Sequence, residues 1–370
     1  MKRKSLLSLF CVGTCIAIVG CSGKQAQNLS TENGYVDYSE ITTQVQIENE
    51  SKNKSNHISM ELCENVKVDA NVKVPDGFSG SAYRYDAYVA PFTLENILPL
   101  FELDEKDVEK LSENLYRYQD TFFEISNDIC GSLVINTESV DYYYKYNSDY
   151  LEACTDMIDF GENKELAFKK SELVKTEVCE KLKSIGINNV VVKHIYALPV
   201  EYHQYIEKTY IESGMMEENK QLGERWNSIG DCYEIVLTTE IDGIPIFEDT
   251  YVAEDDTAFN GGKIQILFSE EGIKYLNAPN QYRIREQEYE IVNVLGNEEI
   301  LDVIKNKMTS IILTDTYTVT ELELCYLPQI INKQLGDFWM LPVWNVTLIA
   351  SDGTSINYLF RADNGEEIQW

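Results

Sequence analysis

Between Val66 and Val74 every second residue is apolar: Val66, Val68, Ala70, Val72 and Val74. A period of two places these side chains on one face, so the segment predicts a strand with one buried side. Pro75-Asp76-Gly77 ends it, because Pro brings no donor and Gly admits a positive φ. Ala82 to Val89 predicts a second strand. Thr93 caps a predicted helix to Leu100, which resumes from Asp104 to Tyr116. Thr121 to Ile125, Ser132 to Asn136 and Val140 to Tyr146 predict three more strands.

Farther along, Leu166, Leu173, Val174, Val178, Leu182 and Ile185 recur at helical spacing, with Gly186 as the C-terminal stop. A strand at Asn189 to Leu198 and a helix at Glu201 to Glu218 follow. Strands are then predicted at Cys232 to Glu240, Ile246 to Val252 and Lys263 to Phe268, with Asp242-Gly243 as a tight hairpin turn. The order recurs after Asn297. A helix at Glu298 to Met308 precedes strands at Tyr317 to Tyr326, Trp339 to Ile349 and Ile356 to Arg361, with Asp352-Gly353 turning the last hairpin. A helix followed by a meander, twice over, predicts an α+β fold with helices packed on antiparallel sheets. The expected division is an N-terminal α+β domain at 60–160 and a C-terminal one at 161–370, the latter built of units at 162–275 and 281–370.

The start of the chain has another character. Lys2, Arg3 and Lys4 precede an apolar run from Leu6 to Val19, shorter than the roughly 20 residues of a membrane helix. The run ends Ile18-Val19-Gly20-Cys21, which resembles a bacterial lipobox. That resemblance implies cleavage before Cys21, a diacylglyceryl thioether on its sulfur, and anchorage in the membrane. Residues 1–20 are then a signal peptide. Residues 21–59, polar and rich in Asn, Ser, Thr, Gln and Glu, read as a flexible tether that includes His57.

The C-terminal unit resembles PepSY-type domains and the related YycH/YycI extracytoplasmic regulators. The residues that carry this are Ser269-Glu270-Glu271-Gly272-Ile273, the Glu298 to Met308 helix and Glu323-Leu324-Cys325-Tyr326. Leu341-Pro342-Val343-Trp344 opening a strand and Ala362-Asp363-Asn364-Gly365-Glu366 closing a hairpin complete the set. The resemblance implies a helix on a curved antiparallel sheet and regulation through protein contacts. YycH/YycI proteins hold a transmembrane helix where this chain has a lipobox. The whole chain also resembles uncharacterised lipoproteins of gut Firmicutes, in which a segment like Val68 to Pro75 opens the folded region.

Composition sharpens this picture. With 44% hydrophobic residues in 370, the chain can bury a large core. Against 62 Asp and Glu stand 31 Lys and Arg, a net charge of −31, which argues against nucleic acid as a partner. Loss of Lys2, Arg3 and Lys4 with the signal would make the mature chain more acidic still.

Candidate chemistry is sparse. The histidines are His57, His194 and His203. His194 in a strand reads as structural rather than as a ligand, and His203 as an exposed helix residue. H-E-x-x-H, G-x-S-x-G and the P-loop pattern are absent. Cys179 falls mid-helix and reads as inert packing. Cys63, Cys130, Cys154, Cys179, Cys232 and Cys325 permit three disulfides or buried thiols equally. Glu254-Asp255-Asp256 with Asn260 reads as a solvated acidic loop, with calcium as the other option. No metal and no cofactor is expected. Of 24 tyrosines, Tyr142, Tyr144 and Tyr146 would share one strand face, with Tyr143 opposite. That stripe is either a binding surface for peptide or glycan or ordinary sheet packing.

The expectation is therefore a surface-exposed membrane lipoprotein, held by lipid on Cys21 at the extracytoplasmic face, that acts as a non-enzymatic protein-binding or regulatory module. The alternatives are a cell-wall or carbohydrate hydrolase using a carboxylate pair, and a solute-binding lipoprotein.

Overall fold

A computed structural model describes residues 57–126, 128, 131–137, 140, 164–213, 230–249, 251–252, 258–259, 261–311, 313, 315–332 and 336–369. Residues from Ser55 onward form one compact unit. In chain order, β1 (His57–Cys63), β2 (Val66–Lys73) and β3 (Ser81–Ala90) lead into the short helix α1 (Leu94–Ile97). Strands β4 (Glu109–Lys110), β5 (Leu115–Tyr118), β6 (Thr121–Ile125) and β7 (Ser132–Thr137) follow. Next come α2 (Ser171–Ser184), β8 (Val190–Leu198), α3 (Val200–Ser213), β9 (Cys232–Ile241) and β10 (Ile244–Pro245). Then β11 (Tyr251–Val252), β12 (Ala258–Phe259), β13 (Ile264–Ser269), β14 (Gly272–Pro279) and β15 (Gln281–Asn293) precede α4 (Asn297–Ser310). The chain ends with β16 (Tyr317–Asn332), β17 (Asp337–Ala350), β18 (Ser355–Arg361) and β19 (Glu367–Ile368).

The expected α+β class is wrong. Among the described residues the chain is mostly β, 52% strand against 19% helix, in two large sheets with four helices. Two physical causes account for the error. The helix expected from Asp104 to Tyr116 is a single 3-10 turn at Glu105–Asp107 followed by β4 and β5. Leu115, Tyr116 and Tyr118 suit a pleated surface, and they pair with β6. Elsewhere strands run longer than their apolar alternation: β15, β16 and β17 hold 13, 16 and 14 residues.

The first sheet runs β1-β2-β16-β17-β18-β19, with β3 joining both β15 and β17. The second runs β10-β9-β13-β14-β7-β6-β5-β4, with β8 on β9. Both sheets therefore take strands from before residue 160 and after it. Strand β2 alternates buried and exposed residues along its whole length, as its period of two requires. Its partner β16 runs parallel to it. His57, expected in the tether, opens β1, where its ring bonds Asp69 at 2.8 Å and Asn71 at 3.2 Å.

Each sheet covers its own core. Under the first, α4 buries Ile300, Leu301, Ile304 and Met308 beside Trp344, Phe338 and Phe360. At roughly 1.5–3 kcal/mol per large apolar side chain, that stripe outweighs the helix's own propensity. Under the second, α2 buries Val174, Val178 and Leu182, while Leu173, expected on the same stripe, is 60% exposed. Gly186 does adopt the positive φ (84°) of a helix stop.

Leu341 to Trp344 does not open a strand, as the resemblance implied, but lies inside β17. Pro342 is tolerated there because the neighbour changes at that point. Residues Asp337 to Met340 pair with β3 and Val343 to Ile349 with β18, so the absent proline N–H interrupts neither ladder. Gly365 turns the last hairpin at φ 73°. A Cβ there would meet Val303 of α4 at 2.5 Å, so only glycine fits between hairpin and helix.

Candidate functional site

The seam between the two sheets holds the candidate site. Strand β14 passes through Pro279 and Asn280 into β15, so the chain crosses from one sheet to the other without a long loop. The β9–β10 hairpin then reaches back toward the first sheet. Its turn is Asp242-Gly243, with φ of 53° and 77°, the left-handed pair that Asp-Gly suits. Beyond the turn Ile246 bridges Tyr326 of β16, and the Phe247 N–H donates to the Tyr326 carbonyl at 2.8 Å.

A cleft of about 500 Å³ opens at this seam, within the usual range for ligand pockets. One wall is the turn Pro75 to Ser79 after β2; the other is Asp242 and Ile244 of the hairpin. Tyr83 and Tyr85 of β3, Tyr289 of β15 and Tyr326 of β16 form its aromatic surface. The register explains their grouping. Tyr85 stands opposite Tyr289, and Tyr83 opposite Ile291, so residues two apart on each strand share one face. Tyr83 packs edge-on to Tyr289 at 5.0 Å and lies 5.6 Å from Tyr85. Tyr85 in turn sits 6.1 Å from Tyr326.

The outer rings are open: Tyr289 is 58% and Tyr83 39% exposed, and Ile291 beside them is 64% exposed. The floor is closed. Tyr326 is fully buried, and its hydroxyl lies beside the Tyr83 backbone without making a hydrogen bond of acceptable geometry. Burial, then the nearby Asp242 charge, pushes its phenol up. The Tyr85 hydroxyl donates to Asp242 Oδ2, and burial followed by that bond raises the Tyr85 phenol too.

The electrostatics are one-sided. Two carboxylates, Asp76 and Asp242, line the cleft, and no Lys or Arg does among the described residues. Arg84 neighbours the cleft in sequence but pairs with Glu290 at 2.5 Å and stacks on Trp339 at 4.5 Å. Aromatic faces, carboxylates and hydroxyls can hold a ligand by contact and charge.

Behind the cleft a second cluster joins the sheets. Lys193 Nζ of β8 lies 2.5 Å from Glu323 of β16 and 3.4 Å from Glu248 beyond β10. Burial draws Lys193 down, but Glu323 and then Glu248 outweigh it and hold it above its ordinary value. Burial pushes Glu248 up despite Lys193.

Most residues singled out in the sequence are not in the cleft. Cys21 with Ile18, Val19 and Gly20, the stripe Tyr142, Tyr144 and Tyr146, and the Glu254-Asp255-Asp256 loop lie outside the described residues. So do Cys130 and Cys154. Cys63, Cys179 and Cys325 are free thiols, and burial pushes each up, away from the thiolate. Cys232 is buried in β9. His194 is exposed on β8 and stacks on Tyr196 at 5.7 Å. His203 falls in α3. Among the described residues no group of three His, Cys, Asp or Glu is placed to hold a metal. Of the cleft residues, the sequence showed the Pro75-Asp76-Gly77 and Asp242-Gly243 segments as turns alone, and Tyr326 as part of a strand. The alternation Tyr83-x-Tyr85 was the one further signal.

No protein-family model matches the chain, and no curated protein does. A crystal structure of an uncharacterised protein from Eubacterium rectale is similar, with a TM-score of 0.61 at 17% identity. The match covers 85% of this chain and 94% of that one. At that identity the likeness concerns the fold alone.

Proposed function

We propose that this chain is an extracytoplasmic lipoprotein, anchored through Cys21, that binds a protein partner through the tyrosine cleft. The observation that carries the binding half is the exposed Tyr83–Tyr289–Ile291 face opening onto a closed floor. Tyrosine with one apolar face and one wet hydroxyl is favoured where proteins meet. The anchor rests on Lys2 to Lys4, the short apolar run and the Ile18 to Cys21 box. Two acyl chains hold where one is reversible, and the polar stretch from Ser22 gives the cleft reach. Among the described residues no helix is long and apolar enough to cross a membrane.

Fractionation of cells tests the anchor. The native protein should enter the detergent phase and carry the mass of a diacylglyceryl group on Cys21. Cys21→Ala should lack that mass and leave the signal uncut by the lipoprotein peptidase. Identical mass and partition in the two proteins would sink the anchor.

A further inference from the structure

We propose that the cleft receives an ammonium group carried on an aliphatic chain, as a lysine side chain of the partner presents it. This rests on the binding role assigned above and names the chemistry of what enters. Three observations converge. First, the rings of Tyr83, Tyr85 and Tyr289 form one contact cluster, with centroids 5.0–6.3 Å apart, and Tyr83 and Tyr289 are open to solvent, where an ammonium can approach a ring face. Second, Asp76 and Asp242 supply negative charge, and among the described lining residues none is cationic, so an anion would enter against the local field. Third, the Tyr326 hydroxyl at the floor is buried without a hydrogen-bond partner. An unpaired buried phenol is costly, and its oxygen can accept an N–H.

The Tyr85 hydroxyl donates to Asp242 Oδ2, and a carboxylate keeps further acceptor sites beside one such bond, so Asp242 can still accept an ammonium N–H. The net charge of −31 adds long-range attraction for any cation.

The test is calorimetric titration of the full lipidated chain in detergent with two nine-residue Gly-Ser peptides. One has a central lysine, the other the neutral isostere norleucine. The lysine peptide should bind at least about tenfold more tightly, and Tyr289→Leu should weaken it about threefold or more. Asp242→Asn should weaken it about fivefold or more; Asn accepts the left-handed turn as readily as Asp, so the hairpin persists. Equal binding of the two peptides, or Asp242→Asn binding as native, would overturn the inference. Titration with cadaverine separates the sources. Tighter binding of the free diamine than of the peptide supports the ammonium chemistry and assigns it to a small amine. If no ammonium probe binds while a protein still cross-links at the cleft, this inference fails and the protein-binding role stands. If ammonium binds and no protein cross-links, the reverse holds.

Discussion

Lys193→Met should destabilise the folded chain by about 3–5 kcal/mol, because it strands two carboxylates in a low-dielectric seam. The Lys193 side chain is 13% exposed, as is that of Glu323, and Glu248 is 26% exposed. The loss reads as a lower denaturant midpoint in a chemical melt. Its pH dependence identifies the cause. The native Lys193 value is raised, so its contribution is complete below the unfolded value near 10.5 and is lost as pH climbs through the folded one. The Glu248 value is also raised; for a carboxyl this means native stability declines as pH rises past 4.5. Removing the lysine takes away the charge that draws Glu248 down, so Glu248 rises further. The deficit of the variant should therefore be largest at neutral pH and shrink as pH falls toward 5. A deficit independent of pH would mean that packing, and not charge, is what the lysine supplies. Adding Glu323→Met should restore part of the stability, since an apolar pair can replace a buried ionic one.

Trp344→Ala should cost about 3–5 kcal/mol, the range for removing a large buried side chain. Trp344 is 1% exposed, and its indole N–H donates to the Leu295 carbonyl at 3.2 Å. Leu295 precedes α4 and its N–H donates to Ala362 at 2.8 Å. One indole thus ties β17 to the helix entry and to the last hairpin. Trp344→Phe keeps most of the ring and should cost about 1–2 kcal/mol, mainly the lost hydrogen bond. Denaturation of the three proteins ranks them; equal midpoints for Trp344→Ala and Trp344→Phe would show that the N–H and not the ring volume holds this corner.

Local pattern was legible where one element sufficed. The alternation at Val66 to Val72 became β2, the Val174, Val178 and Leu182 stripe became the buried face of α2, and Asp242-Gly243 became a tight turn. Class was not, because the balance of helix and strand rests on segments whose pattern is ambiguous. Leu115 to Tyr118 fits either period over four residues, and only pairing with β6 decides it. Gln281 to Asn293 places its apolar residues at Tyr282 and Ile284 and then, out of phase, at Tyr289 and Ile291, because the pairing with β3 shifts register between Ile284 and Tyr289. The cleft was least legible of all. Tyr83, Asp242, Tyr289 and Tyr326 are brought together by β3–β15 pairing and by the β9–β10 hairpin reaching β16, contacts between segments far apart in sequence. Counting tyrosines pointed to the densest run, at Tyr142 to Tyr146, whereas the tyrosine group of the cleft is assembled from three strands.

The most direct measurement is photo-cross-linking on intact cells, with a benzophenone amino acid in place of Tyr289 or, as control, of Leu173. Both positions are exposed, at 58% and 60%, and Leu173 lies on α2, away from the cleft lining. A discrete protein adduct from position 289 and none from position 173 is the predicted result. No adduct from 289, or the same adducts from both, would contradict the cleft as the binding site.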